Sequence, residues 1–215
     1  MKRFMLMIVA LSLPVILLSQ IRAVTENGDE VLLYDDGTWT YAGETDSDSL
    51  LIPMNPDVFS KPSGASFLLK SNRIGMGFWL DPKKWSFKKA ENNADAEYEL
   101  VRKDEDLFAM VITEKIEIPV ETLCRIAESN ARGVAPDLEV THREYRMVNG
   151  IKVVTLIMNG TTQGIKFSYY GYYFSHSGGT VQFVVYTSTN LLEEYRTEIE
   201  DLLNGMVNLS TGGVE

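Results

Sequence analysis

Three side chains in this 215-residue sequence are of the kind that nucleophilic or metal chemistry uses: Cys124, His142 and His176. A catalytic cysteine has to be ionised, partly exposed and next to a base. Cys124 lies beside Leu123 and Ala127 on the apolar side of the helical pattern "PVETLCRIAESNARG", so it reads as a small buried hydrophobe. No G-x-S-x-G elbow offers a serine instead. Two histidines and one cysteine cannot complete a zinc site without carboxylates. His142 with Glu144, two residues on along one strand, and His176 beside Ser177 would make only a weak surface site. The acid pairs in Asp104-Glu105-Asp106 and Glu193-Glu194 fall in a charged turn and on a solvated helix face, whereas a glycosidase needs its carboxyls across a cleft. Asp46 and Asp48 lack the further oxygens and closing glutamate of a calcium loop. Neither G-x-G-x-x-G nor a G-K-[ST] phosphate loop occurs. The expectation is no enzyme, no cofactor and no metal.

Binding chemistry has two candidate sites. In "FSYYGYYFSH", residues 167–176, a regular strand puts Tyr170 and Tyr172 on one face and Phe167, Tyr169 and Tyr173 on the other. Tyrosine offers area with a polar tip, so one face is read as core and the other as a candidate binding surface, with intramolecular packing the first reading. In "YDDGTWTY", Trp39 and Tyr41 are structural if they dock on the main domain and adhesive if they project. The candidate binding residues are therefore Tyr169, Tyr170, Tyr172, Tyr173, Trp39 and Tyr41.

The elements that position these groups follow from periodicity. Residues 1–20 read as a signal peptide: Lys2 and Arg3 precede an apolar run from Phe4 to Leu18 that is shorter than a membrane span of about 20 residues. Export follows, to the periplasm or the exterior, with retention as an N-terminal anchor the alternative. Removing this segment leaves 18 basic against 30 acidic residues, a net charge of −12, which disfavours nucleic acid and anionic lipid surfaces. One cysteine excludes an internal disulfide. Residues 21–42 carry two hairpin dipeptides, Asn27-Gly28 and Asp36-Gly37, and predict a three-strand β-ribbon. Residues 43–65, with Pro53, Pro56 and Pro62, read as a linker or extended strap.

Residues 66–209 form the main domain. Strands over "SFLLKS", "GMGFWL" and the two halves of "AEYELVRKDEDLFAMVITEKI" lead to a helix that starts at Pro119 and stops at Gly133. Four strands follow as an antiparallel meander. In the first, Leu138, Val140, His142, Glu144 and Arg146 share one side; the second, "IKVVTLIMNG", is apolar on both faces and so central. A last helix begins at an Asn190/Glu193 capping box, with Glu194, Glu198, Glu200 and Asp201 outward. The end of the chain, with a tail over 210–215, is expected to fray from "VNLSTGGVE" onward. The fold class is α+β, an antiparallel sheet with two main helices, plus the small ribbon.

The segment "GFWLDPKKWSF", with Phe78, Trp79, Pro82 and Trp85, resembles the opening of PsbP-like domains, and the order of the later elements over residues 66–207 is similar to that fold. The segment "DDGTWTY" resembles one found near the start of many secreted bacterial proteins. The first resemblance implies an α/β/α sandwich and a non-enzymatic binding or assembly domain, with no ligand specified. The expected function is protein–protein contact at the cell envelope, with a secreted or envelope protein as partner. The alternative is a small-molecule or lipid carrier with an aromatic-lined pocket between sheet and helix, and a hydrolase stands third.

Overall fold

The structure, a computed structural model, describes residues 20–25, 30–35, 37–41, 52–91 and 93–210. The signal segment, the Asn27-Gly28 turn, Asp46 and Asp48 lie outside them. Strands β1 (Gln20–Val24), β2 (Glu30–Tyr34) and β3 (Trp39–Tyr41) pair antiparallel in that order, which is the expected ribbon. Gly37 at φ +81° makes the second turn, a conformation that costs glycine little.

The main sheet has eight strands. In spatial order they are β4 (Met54–Phe59), β10 (Glu139–Val148), β11 (Ile151–Thr162), β12 (Ile165–His176), β13 (Gly179–Ser188), β9 (Phe108–Glu114), β8 (Ala96–Arg102) and β7 (Trp85–Lys89). A second sheet runs β14 (Met206–Asn208), β6 (Met76–Leu80), β5 (Phe67–Lys70). Helix α1 (Val120–Val134) covers one face of the large sheet. The short helix α2 (Arg196–Leu203) and the second sheet cover the other. The result is a sheet-rich α+β fold rather than a plain three-layer sandwich.

The middle strands need two covers because they are apolar on both sides. In β11, Val153 and Ile157 enter the core under α2, while Val154, Leu156 and Met158 enter the core under α1. Asn149 and Gly150, at φ +47° and +82°, make the expected two-residue hairpin. Gln163-Gly164 repeats that geometry at the next corner, without an Asn or Asp to announce it. The Pro82 turn is structural: the Asp81 side chain accepts from the Lys83 N–H at 2.9 Å, and Trp85 beyond it is buried.

Several expectations are corrected. Within the expected linker, Met54–Phe59 pairs in parallel with β10, so that part is an edge strand. The chain end does not fray at 207: Met206, Val207 and Asn208 pair with Phe78, Gly77 and Met76. Helix α1 passes through Gly133 and ends at Ala135, which is extended as a residue before proline must be. The Asn190/Glu193 box caps nothing. Asn190 sits in a 3-10 turn, Thr189–Leu191, and α2 starts only at Arg196. A bulge between Val140 and His142 moves Leu138 and Val140 to the α1 side, opposite His142, Glu144 and Arg146.

Two glycines test this packing with opposite signs. A Cβ on Gly205 would lie 1.9 Å from the Trp79 carbonyl oxygen, where β6 meets the end of α2. Gly205→Ala is expected to cost at least about 2 kcal/mol. Nothing lies within 4 Å of a Cβ on Gly133, so Gly133→Ala should stabilise by about 0.5 kcal/mol. Urea unfolding of both variants checks the pair, and a neutral Gly205→Ala would contradict the tight β6–α2 junction.

Candidate functional site

Helix α1 is fastened along one edge. Its Glu121 accepts from the Tyr145 hydroxyl, its Glu128 pairs with Arg143, and its Arg132 donates to the Leu138 carbonyl oxygen. All three partners lie on or just before β10. At the other edge of the helix, over β9 and β13, a cleft of about 410 Å³ opens between helix and sheet. The sequence makes this space: the helix faces the sheet with Ala127 and Ala131, and a longer side chain at either position would fill it.

The floor of the cleft includes Met110, Ile112, Met158, Tyr169, Tyr173, Gln182 and Val184; Ile126, Asn130 and Val134 of α1 form the wall. Asn93, Asp95 and Glu114 complete the lining, which contains no basic residue. Tyr173 is 1% exposed and Gln182 is 9% exposed. Among the described residues, neither their side chains nor the Tyr169 hydroxyl finds a hydrogen-bond partner. Burial pushes the phenols of Tyr169 and Tyr173 upward, so both stay neutral. The cleft thus offers apolar area, two aromatic rings and uncommitted neutral hydrogen-bonding groups. Its size falls in the range of small-molecule sites.

The opposite face holds a different cluster. Tyr170 and Tyr172 are fully buried under α2. The Tyr170 hydroxyl donates to Glu200 Oε1 at 2.6 Å, and the Tyr172 hydroxyl donates to Asn204 Oδ1 at 2.9 Å. Arg146 stacks on Phe59 at 4.5 Å from the ring centre. It donates to Glu144, to the Tyr172 hydroxyl at 3.1 Å and to Glu200 at 3.3 Å. Asn55 of β4 closes the chain by donating to Glu144 at 3.1 Å. Burial works to raise the Glu144 carboxyl, but hydrogen bonds from Arg146 and Asn55 and the Arg146 charge outweigh it and hold it below the ordinary range. A polar hollow of about 520 Å³, lined in part by His142 and Arg196, opens beside this network. The network joins the edge strand, the sheet and α2. Its charges are spent on one another, so its role is fastening. Glu200, expected outward, is turned to the sheet, where it accepts from Tyr170 and Arg146.

The aromatic candidates therefore divide. Tyr170, Tyr172 and Tyr173 are core and form no exposed tyrosine patch, while Tyr169 and Tyr173 line the cleft. Trp39 and Tyr41 project from β3, 55% and 58% exposed, in edge-to-face contact at 5.4 Å. They do not meet the cleft tyrosines. Ile21 and Leu33 lie in register with Trp39 on the same ribbon face. Sequence reasoning missed Gln182, Asn130, Met110 and Ile112. The available signals were the lone polar residue in "TVQFVVY" and the alanine stripe of the helix.

The candidate nucleophile is not assembled. Cys124 is buried, its thiol pushed up by burial, and it lies on the sheet-facing side of α1 while His142 faces the other side of the sheet. His176 is engaged locally: its Nδ1 accepts from the Gly178 N–H at 3.0 Å. Among the described residues there is no group of three metal-ligating side chains, and no helix is long and apolar enough to cross a membrane.

The chain matches no protein-family model and no curated protein. Its fold is PsbP-like. Cyanobacterial PsbP (CyanoP) from Synechocystis sp. PCC 6803 is similar over 68% of this chain and 94% of that one, with 12% identity and a TM-score of 0.51. LpqN, involved in cell envelope biogenesis of Mycobacterium tuberculosis, aligns over 66% of this chain and 88% of that one, with 8% identity and a TM-score of 0.46.

The Arg146 network carries a mutational and an acid prediction. Arg146→Ala removes the buried cation shared by Glu144 and Glu200 and should cost about 3 kcal/mol in chemical unfolding. The folded pKa of Glu144 lies below its ordinary 4.5, so its stabilising contribution is present above 4.5 and is lost as pH falls through the folded value. Unfolding free energy should accordingly fall below pH 4.5, and Glu144→Gln should flatten that slope. An unchanged slope would assign the acid limb elsewhere.

Proposed function

We propose that this protein is an exported, non-enzymatic binding domain that takes a small apolar or amphipathic molecule in the cleft beneath α1. The observation that carries this reading is the cleft itself: apolar and aromatic area together with two neutral polar side chains, Tyr173 and Gln182, that have no hydrogen-bond partner among the described residues. Apolar area with a few polar groups able to orient a ligand is the composition of small-molecule sites. Export rests on the N-terminal segment, with its short positive start and apolar run. The absence of a catalytic pairing around Cys124 or the histidines supports binding over turnover.

A second reading is favoured by a separate observation. The ribbon face bearing Ile21, Leu33, Trp39 and Tyr41 exposes apolar and aromatic surface, and Trp and Tyr are enriched at protein contacts. Contact with an envelope or secreted protein through this face is compatible with ligand binding in the cleft.

The cleft reading is tested with methyl-labelled methionine. Dodecanol, held below its solubility limit, should shift the Met110 and Met158 methyl resonances of the wild-type chain. Ala131→Leu, which fills the space, should abolish the shifts with thermal melting preserved. Asn130→Trp, at an exposed lining position, serves if Ala131→Leu does not fold. Dodecanol leaving both methionines unmoved in the wild type sinks the proposal. The ribbon reading predicts that Trp39→Ser with Tyr41→Ser removes co-purifying protein from native envelope extracts; recovery of free monomer alone from the wild-type chain would count against it.

A further inference from the structure

The register of the sheet gives the cleft a direction. Glu114 stands opposite Thr180, two residues on Ile112 stands opposite Gln182, and Gln182 opposite Tyr173. The next row along is Met110, Val184 and Gly171, and the last is Tyr186, Tyr169 and Met158. Asp95 precedes Ala96, which pairs with Ile112, so the second carboxylate lies at the Glu114 end. Along one line of about 20 Å, at roughly 3.4 Å per residue, the floor passes from carboxylate through amide and phenol to a thioether and aliphatic row and ends at the aromatic rings and the Met158 thioether, so charge is confined to one end. Such a gradient orients an elongated amphiphile, head towards Glu114 and Asp95, tail towards Met158.

The charges around the cleft favour one sign of head group. Its charged lining residues are both acidic. The bases nearby are engaged elsewhere. Arg73 donates to the carbonyl oxygens of Asp95 and Thr113 at 3.1 and 3.0 Å. On α1, Arg125 donates to Thr122 and Arg132 to Leu138, and from β10 Arg143 pairs with Glu128. A carboxylate or phosphate head at this end would face two like charges, while the nearby Arg73 guanidinium is tied to the Asp95 and Thr113 carbonyl oxygens and does not line the cleft. An ammonium would face two carboxylates.

Resting on the cleft as a binding site, we infer that its ligand is an elongated amphiphile with a cationic head, and that anionic lipids and fatty acids bind more weakly. Each rim carboxylate contributes a modest exposed-pair effect, but attraction of a cation and repulsion of an anion act together. The expected discrimination is at least about fivefold, and it weakens with salt.

The test titrates the full chain with dodecyltrimethylammonium, dodecanol and dodecanoate, each below its aggregation limit, reading the Met110 and Met158 methyl resonances. The ammonium should bind at least about fivefold more tightly than dodecanoate, with dodecanol between them. Its advantage over dodecanol should shrink at high salt and vanish in the Asp95→Asn, Glu114→Gln double variant. Because both positions are at the rim, that variant is expected to melt as the wild type does; Glu114→Lys alone, reversing the order of ammonium and dodecanoate, provides an independent arm. Equal binding of all three, tighter binding of dodecanoate, or an ammonium advantage that survives the double variant overturns the charge selectivity while leaving the cleft a binding site. Binding of none of the three overturns both readings.

Discussion

Strands β11, β12 and β13 withdraw both faces from water, and the rest of the molecule is built around that constraint. A strand pair with one solvated face needs one cover; these three need two, since Val154, Leu156 and Met158 point one way while Val153 and Ile157 point the other. The covers differ in kind. Helix α1 supplies one in 15 residues, with a single apolar face. The other side is assembled from an eight-residue helix, a 3-10 turn and a second small sheet, joined by buried polar contacts. Asn149, from the hairpin between β10 and β11, donates to the carbonyl oxygens of Asn204 and Met206 at 2.7 and 2.9 Å, tying that composite cover to the large sheet.

The difference in fastening explains where space remains. Under α2 the chain uses large side chains, Tyr170, Tyr172 and Phe183, and supplies each buried tyrosine hydroxyl with a partner. Under α1 it uses alanines and a glycine, Gly171, whose Cβ position would be 3.0 Å from the Tyr173 ring. The helix is pulled towards β10 by Glu121, Glu128 and Arg132, so its far edge stands off β9 and β13. The cleft is the consequence of one-sided anchoring over small residues.

This history also decides what could be read from the sequence. Periodicity identified the central strand, the amphipathic α1, the ribbon and the Asn149-Gly150 turn, because each depends on local pattern or on φ > 0. It placed Cys124 in the core for the same reason. It misplaced what long-range contacts decide. A bulge at one residue of β10 exchanged the faces of Leu138 and His142, and no local pattern marks it. The start of α2 moved from Asn190 to Arg196 because residues 189–195 form a 3-10 turn and further turns instead of propagating an α-helix. The strap at 54–59 became a strand because Tyr145, Met147 and Val148 offered it an edge, which its prolines do not disclose. The aromatic run of β12 was legible as two-faced, but which tyrosines meet a cavity depends on the short side chains of a helix distant in sequence.

The ionisable groups argue in the same direction as the geometry. Catalysis by acid or base needs a group that is perturbed yet free to exchange its proton with a substrate. Glu97 and Glu144 are perturbed, both held low against the opposing effect of burial, but by donors that occupy their oxygens. For Glu97 these are Ser71 and Thr113 at 2.6 Å and the backbone of Asn72 at 2.5 Å. Tyr169, Tyr173 and Cys124 are perturbed the other way, into forms that stay neutral. The charges of Glu97 and Glu144 are therefore committed to holding elements together, whereas the cleft presents neutral polar side chains, Tyr173 and Gln182, in a largely apolar setting with Asp95 and Glu114 at one end.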